Sequence, residues 1–79
     1  MNGEYEVIEA EIIETSELIN KELKNANLPD EIRIGAVLRG NKIIIPRSDF
    51  VFLKDDKVVF LAKKESISVV ENIFRISSI

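Results

Sequence analysis

Arg33, Arg39 and Arg47 are the side chains of this 79-residue chain best suited to chemistry, and that chemistry is anion recognition. A guanidinium can hold a phosphate or a carboxylate through two parallel N–H bonds. By two-residue parity Arg33 and Arg39 share the non-core side of one strand, and Arg47 follows a proline corner at the end of the partner strand. Two readings follow. Arginines on an exposed strand face keep the surface soluble and blunt an edge, or they form an anion site. Catalytic readings are thinner, because the chain has neither histidine nor cysteine and the nucleophile–base pairs that remain are Ser with Lys or paired carboxylates. Ser48-Asp49 is the nearest such pair, and beside Pro46 it reads as a turn whose side chains satisfy backbone N–H groups. Asp49, Asp55 and Asp56 fall short of a hard-cation site, since calcium takes about six to eight oxygen ligands; they read as a solvated turn. Gly3, Gly35 and Gly40 can make neither G-x-G-x-x-G nor a P-loop, so NAD and ATP are not bound here by those routes.

The elements that position these residues lie between Ile32 and Lys63. In Ile32 to Arg39 the even positions are apolar, while Arg33, Gly35 and Arg39 are odd, the pattern of a strand with one buried face. Val37 is the exception. Gly40-Asn41 tolerates positive φ and suits a two-residue hairpin loop into Lys42-Ile43-Ile44-Ile45. Pro46, with no N–H to give the ladder, ends that pairing. Phe50 to Leu53 reads as a short strand, and the turn Lys54 to Lys57 leads into Val58-Val59-Phe60-Leu61-Ala62, an unbroken apolar run expected to be a central strand covered on both faces.

Around this core, Tyr5 to Ile13 alternates Ile8, Ala10 and Ile12 against Glu9 and Glu11, which predicts a first strand with a wet acidic side. Thr15 and Ser16 precede Leu18, Ile19, Leu23 and Ala26, whose spacing predicts a capped helix, with Glu17 and Lys21 paired at i, i+4 and Pro29 closing the segment. Glu65-Ser66 opens a second helix with Ile67, Val70, Ile73 and Phe74 as its buried stripe. Residues 1–4 read as a disordered start, 5–76 as the domain and 77–79 as a tail; Ile76 to Ile79 receives no element. The order β-α-β-β-β-β-α implies a two-layer α+β domain with two helices on one face of a mostly antiparallel sheet.

A single domain of this size buries only roughly 60% of its unfolded surface, so association would stabilise it, the more so without a disulfide or thiolate metal site. The net charge of −3 argues against non-specific nucleic-acid binding. No apolar run approaches the ~20 residues that span a bilayer, and no signal-peptide pattern opens the chain, so the expectation is a cytoplasmic domain without direct membrane insertion.

The order of Ile34 to Gly40 ending in Arg-Gly, the Ile45-Pro46-Arg47 corner, and Leu53 to Asp56 ahead of Val58 resembles the TrkA-C domain, the C-terminal RCK module of potassium uptake and channel regulators. The likeness extends more loosely from about Glu6 to Phe74. Asp55 stands where the family's turn has Gly, and Asn20 where a Gly is common early in its first helix; Asp56 matches the turn Asp, whose role is structural. The resemblance implies a non-enzymatic regulatory domain, homodimeric and cytoplasmic, peripheral to the inner membrane through a cation transporter or channel subunit and following an NAD-binding regulatory domain. In some members this region binds cyclic di-AMP at a two-fold interface. Carried over by position, that nominates Arg39, Ile34, Ile45 and Pro46 as contacts for cyclic di-AMP or another anionic small ligand, with no cofactor in the chain itself. The alternative reading is a ligand-free homodimerisation module attached to a transporter, antiporter or transcription regulator.

Overall fold

A computed structural model describes residues 5–73 and 75–77, with side chains described through Glu71. β1 (Tyr5–Glu11), β2 (Ile32–Arg39), β3 (Lys42–Ile44), β4 (Lys57–Lys63) and β5 (Arg75–Ser77) form one antiparallel sheet in the order β3-β2-β4-β1-β5, and α1 (Ile67–Ile73) precedes β5. The α+β class and the predominantly antiparallel sheet are as expected, and the Val58 run is indeed the central strand. Alternation sorts β1 and β4 cleanly: Ile8, Ala10 and Ile12 are buried on the same side as Val58, Phe60 and Ala62. The other face of β4 is not covered as expected, because Leu61 is 37% exposed and Val59 is half-buried.

The first of the two expected helices does not form. Residues 14, 15 and 17–20 are turns, and among the described residues the only helical backbone before β2 is the 3-10 turn Leu23–Asn25. Ser16 does act as a local cap, its Oγ accepting the Leu18 N–H at 3.1 Å, but Asn20 sits at φ 66°, which no α-helix accommodates. Three amides that a helix would have satisfied internally go across to residues 48–52. Asn20 N–H donates to the Phe52 carbonyl at 2.8 Å, Leu23 N–H to Phe50 at 2.8 Å and Lys24 N–H to Ser48 at 2.9 Å, while Phe52 N–H donates back to Lys21 at 3.0 Å. This irregular ribbon also replaces the expected Phe50 strand, reducing it to the single bridge Glu22–Val51. The apolar stripe still reaches the core: Leu18 is buried, and Ile19, Leu23 and Ala26 pack against it.

The second helix forms where expected, entered through a 3-10 turn at Lys64–Ser66, with Val70 fully buried and Ile67 half-buried. The Ile73 and Phe74 side chains, and the start at residues 1–4, lie outside the described residues. β5, which received no element from the sequence, pairs Glu9 with Ser77 and Glu11 with Arg75 along the free side of β1.

Candidate functional site

Local geometry around β2 decides where each arginine points. The β2–β4 register slips between Ile34, opposite Phe60, and Ala36, opposite Val59, so Gly35 is the extra residue of a β-bulge. An extra residue reverses parity downstream. Ile32 and Ile34 face the core before the bulge, and Val37 and Arg39 face it afterwards, which explains why Val37 is fully buried and breaks the alternation. Arg33 remains on the outer face. The inference that Arg39 shares that face is therefore corrected, and the signal was present: a glycine inside a strand next to a parity exception marks a bulge.

Arg39 meets a carboxylate. Its Nε donates to Asp56 Oδ1 at 2.8 Å and its Nη2 to Oδ2 at 2.7 Å, the two-point grip that matches a guanidinium to a carboxylate. Nη2 also donates to the Val51 carbonyl at 2.9 Å, and the guanidinium carbon lies 4.9 Å from the Phe50 ring centre. Phe50 in turn meets Phe52 edge to face at 5.4 Å. Asp56 is 1% exposed and accepts a further bond from the Leu53 N–H at 2.8 Å. Side chain and backbone together close the turn that carries it: Oδ2 accepts from the Leu53 N–H, the Asp56 N–H donates to the Leu53 carbonyl at 3.2 Å, and Asp55 takes φ 72° at the third position, where a type II turn favours glycine. Hydrogen bonding to Asp56 raises the Arg39 guanidinium above its ordinary range, against a desolvation that works the other way, so it stays charged at every working pH.

The other three nominated residues lie apart from this clamp. Ile34 is half-buried and lines a groove of about 390 Å³ with Arg33, Lys24 and Asp30, a lining that does not include Arg39. Ile45 follows the last residue of β3 and is 71% exposed, and Pro46 beside it is half-buried. Of the guanidinium nitrogens only Nη1 is left for an outside partner among the described residues. The Arg39 side chain is 35% exposed. Asp49, Asp55 and Asp56 do not converge on a metal site, and among the described residues no cluster of His, Cys, Asp or Glu has that arrangement.

A family model described as the TrkA-C domain matches residues 7–75. The Trk system potassium uptake protein TrkA of Azorhizobium caulinodans is 40% identical over 77 residues, which is 98% of this chain and 17% of that protein. A TrkA homolog of Archaeoglobus fulgidus is 38% identical over 64 residues, 81% of this chain and 15% of its own length. The chain thus spans less than a fifth of the length of these relatives. Among solved structures, one described as "Structure of RCK domain with cda" superposes with a TM-score of 0.72, covering 87% of this chain and 97% of the other at 20% identity, a likeness of fold.

Proposed function

This chain belongs to the TrkA-C domain family, and from that membership we propose that it is a regulatory, ligand-sensing and dimerising domain of a potassium transport system, without catalytic activity of its own. The observation that carries this reading is the match of nearly the whole chain to the Trk uptake protein at 40% identity. In this reading the domain works in the cytoplasm beside an NAD-binding domain and a membrane transporter subunit. No helix among the described residues is long and apolar enough to cross the membrane itself. A ligand biases the pore only by binding one arrangement of the assembled subunits better than another. The proposed ligand is a small anion such as cyclic di-AMP. Ile34, Ile45 and Pro46 supply apolar contact, with Ile45 already 71% exposed beside the proline, and Arg39 supplies one charged contact through Nη1.

One feature favours the second reading, a ligand-free dimerisation module. The two-point grip of Arg39 is already filled by Asp56, which leaves an anion only a single N–H edge. Calorimetric titration of cyclic di-AMP and other anionic nucleotides separates the two. Saturable binding that is weakened by Ile45→Ala supports ligand sensing; no heat from any nucleotide up to about 1 mM, a bound near −4.1 kcal/mol, supports the second reading.

A further inference from the structure

β2 is longer than the strand that covers its outer edge. β3 pairs with Val37, Leu38 and Arg39 only, because Pro46 has no N–H to continue the ladder and the chain then turns, the Phe50 N–H donating to the Arg47 carbonyl at 3.0 Å. The half of β2 from Ile32 to Ala36 is therefore paired with β4 on one side and, among the described residues, with no strand on the other. The register fixes which backbone groups are left over. Arg39 and Lys42 flank a two-residue loop and exchange their hydrogen bonds with each other; alternation from there directs Lys57, Val59 and Leu61 of β4 at β2, and Arg33 at β4. Ile32 and Ile34 thus point their backbone groups away from β4. The Ile32 N–H agrees, being held by the Pro29 carbonyl at 3.0 Å, while the Ile34 N–H and C=O have no partner among the described residues.

Beside this open edge lies the groove of about 390 Å³, lined by Leu23 and Leu28 and carrying the exposed Lys24, Arg33 and Asp30. We propose that edge and groove together bind an extended acidic peptide segment of a partner protein, added to β2 as a further antiparallel strand. Pairing dictates the pattern of that segment. The residues opposite Ile32 and Ile34 share their face, beside Leu23 and Leu28, and are apolar; the residue between them stands opposite Arg33 on the outer face and is acidic. Among the described residues Arg33 enters no ion pair, and Lys24 meets only Glu22, at 3.9 Å with both side chains exposed. The two cations outnumber Asp30 and complement carboxylates on the incoming strand. A charge on a strand edge ordinarily discourages pairing, and Arg33 does so against a basic strand while admitting an acidic one. Five residues of β2 at about 3.4 Å each give the partner about 17 Å of edge. This inference does not rest on the proposed ligand or on dimerisation.

NMR titration of the isotope-labelled chain with the peptide acetyl-Val-Glu-Val-Glu-Val-amide is the test. Saturable shifts are expected at the amides of Arg33, Ile34, Gly35 and Ala36, with a dissociation constant below about 1 mM and slower exchange of the Ile34 amide. The same peptide with lysine for glutamate should bind at least about tenfold more weakly, and Arg33→Glu, at an exposed position, should invert that preference without moving the denaturation midpoint. Methylating the valine nitrogens, which face β2 in an antiparallel pairing, should abolish binding, and methylating the glutamate nitrogens should spare it; this comparison needs no variant of the protein. Equal binding of the two methylated peptides, shifts confined to the Ile45-Pro46 corner, or no saturable shift up to about 2 mM peptide would each overturn the inference. Nucleotide binding without peptide binding leaves the proposed function standing and this site refuted, and peptide binding without nucleotide binding does the reverse for ligand sensing.

Discussion

Removing the Arg39 guanidinium leaves Asp56 in a site that is 1% exposed with one backbone N–H to satisfy it. Counted by parity alone, Arg39 lies outside the core, where its loss would spare stability; the clamp to Asp56 reverses this. Truncating one partner of a buried pair costs about 3–5 kcal/mol, and because the Arg39 side chain is 35% exposed and partly screened, we expect about 2–3 kcal/mol for Arg39→Ala in chemical denaturation. Arg39→Lys should recover less than half, since an ammonium keeps the charge but cannot span both oxygens. An unchanged midpoint in Arg39→Ala would mean that the clamp contributes nothing to the fold. Asp55 is the second residue of consequence. At φ 72° a side chain is strained, so Asp55→Gly should raise stability by roughly 0.5–1 kcal/mol, read as a higher midpoint at constant slope. Asn20, at φ 66°, lies in the same left-handed region of backbone space.

At the level of elements, the β2–β3 hairpin turns on two residues, because Arg39 pairs with Lys42 across Gly40-Asn41. Gly40 has φ 60° and Asn41 is not in the positive region, the distribution of a type II′ turn, with the glycine at its first central position. An added Cβ at Gly40 meets nothing within 4 Å, so the objection to a side chain there is conformational. Gly40→Val should cost about 1–3 kcal/mol and Asn41→Ala much less, as compared by thermal or urea unfolding. Gly35 presents the opposite case. A Cβ there would meet the Val59 carbonyl oxygen at 3.6 Å, an ordinary contact, so Gly35→Ala should shift stability by less than about 1 kcal/mol. A larger loss would show that the bulge itself requires the glycine backbone.

For the whole molecule, β4 ties the fold together, hydrogen-bonded to β2 on one side and β1 on the other, while β3 pairs over three residues at an edge. Local opening follows that hierarchy. Amide exchange should be slowest in Val58, Phe60 and Ala62 and fastest in β3 and the turn at 14–17. Comparable protection in β3 and β4 would contradict it. The Leu23 and Phe52 amides should exchange more slowly than their irregular backbone suggests, because both bond across the ribbon at 2.8 and 3.0 Å.

What the sequence determined by itself was whatever depends on short-range periodicity: the buried face of β1, the place of the central strand though not its single buried face, the hairpin at Gly40-Asn41, the helix at Ile67–Ile73 and the order of motifs that marks the family. Tertiary structure decided three things that no local pattern encodes. Residues 15–26 have helical spacing, yet the amides of Asn20, Leu23 and Lys24 bond residues 48–52, a competition between partners far apart in sequence. Residues 75–77 form a strand because β1 leaves them a free edge to pair with. Arg39 faces Asp56 because one extra residue at Gly35 reverses the pleat, and parity counted along the chain cannot register an insertion that exists only relative to the neighbouring strand.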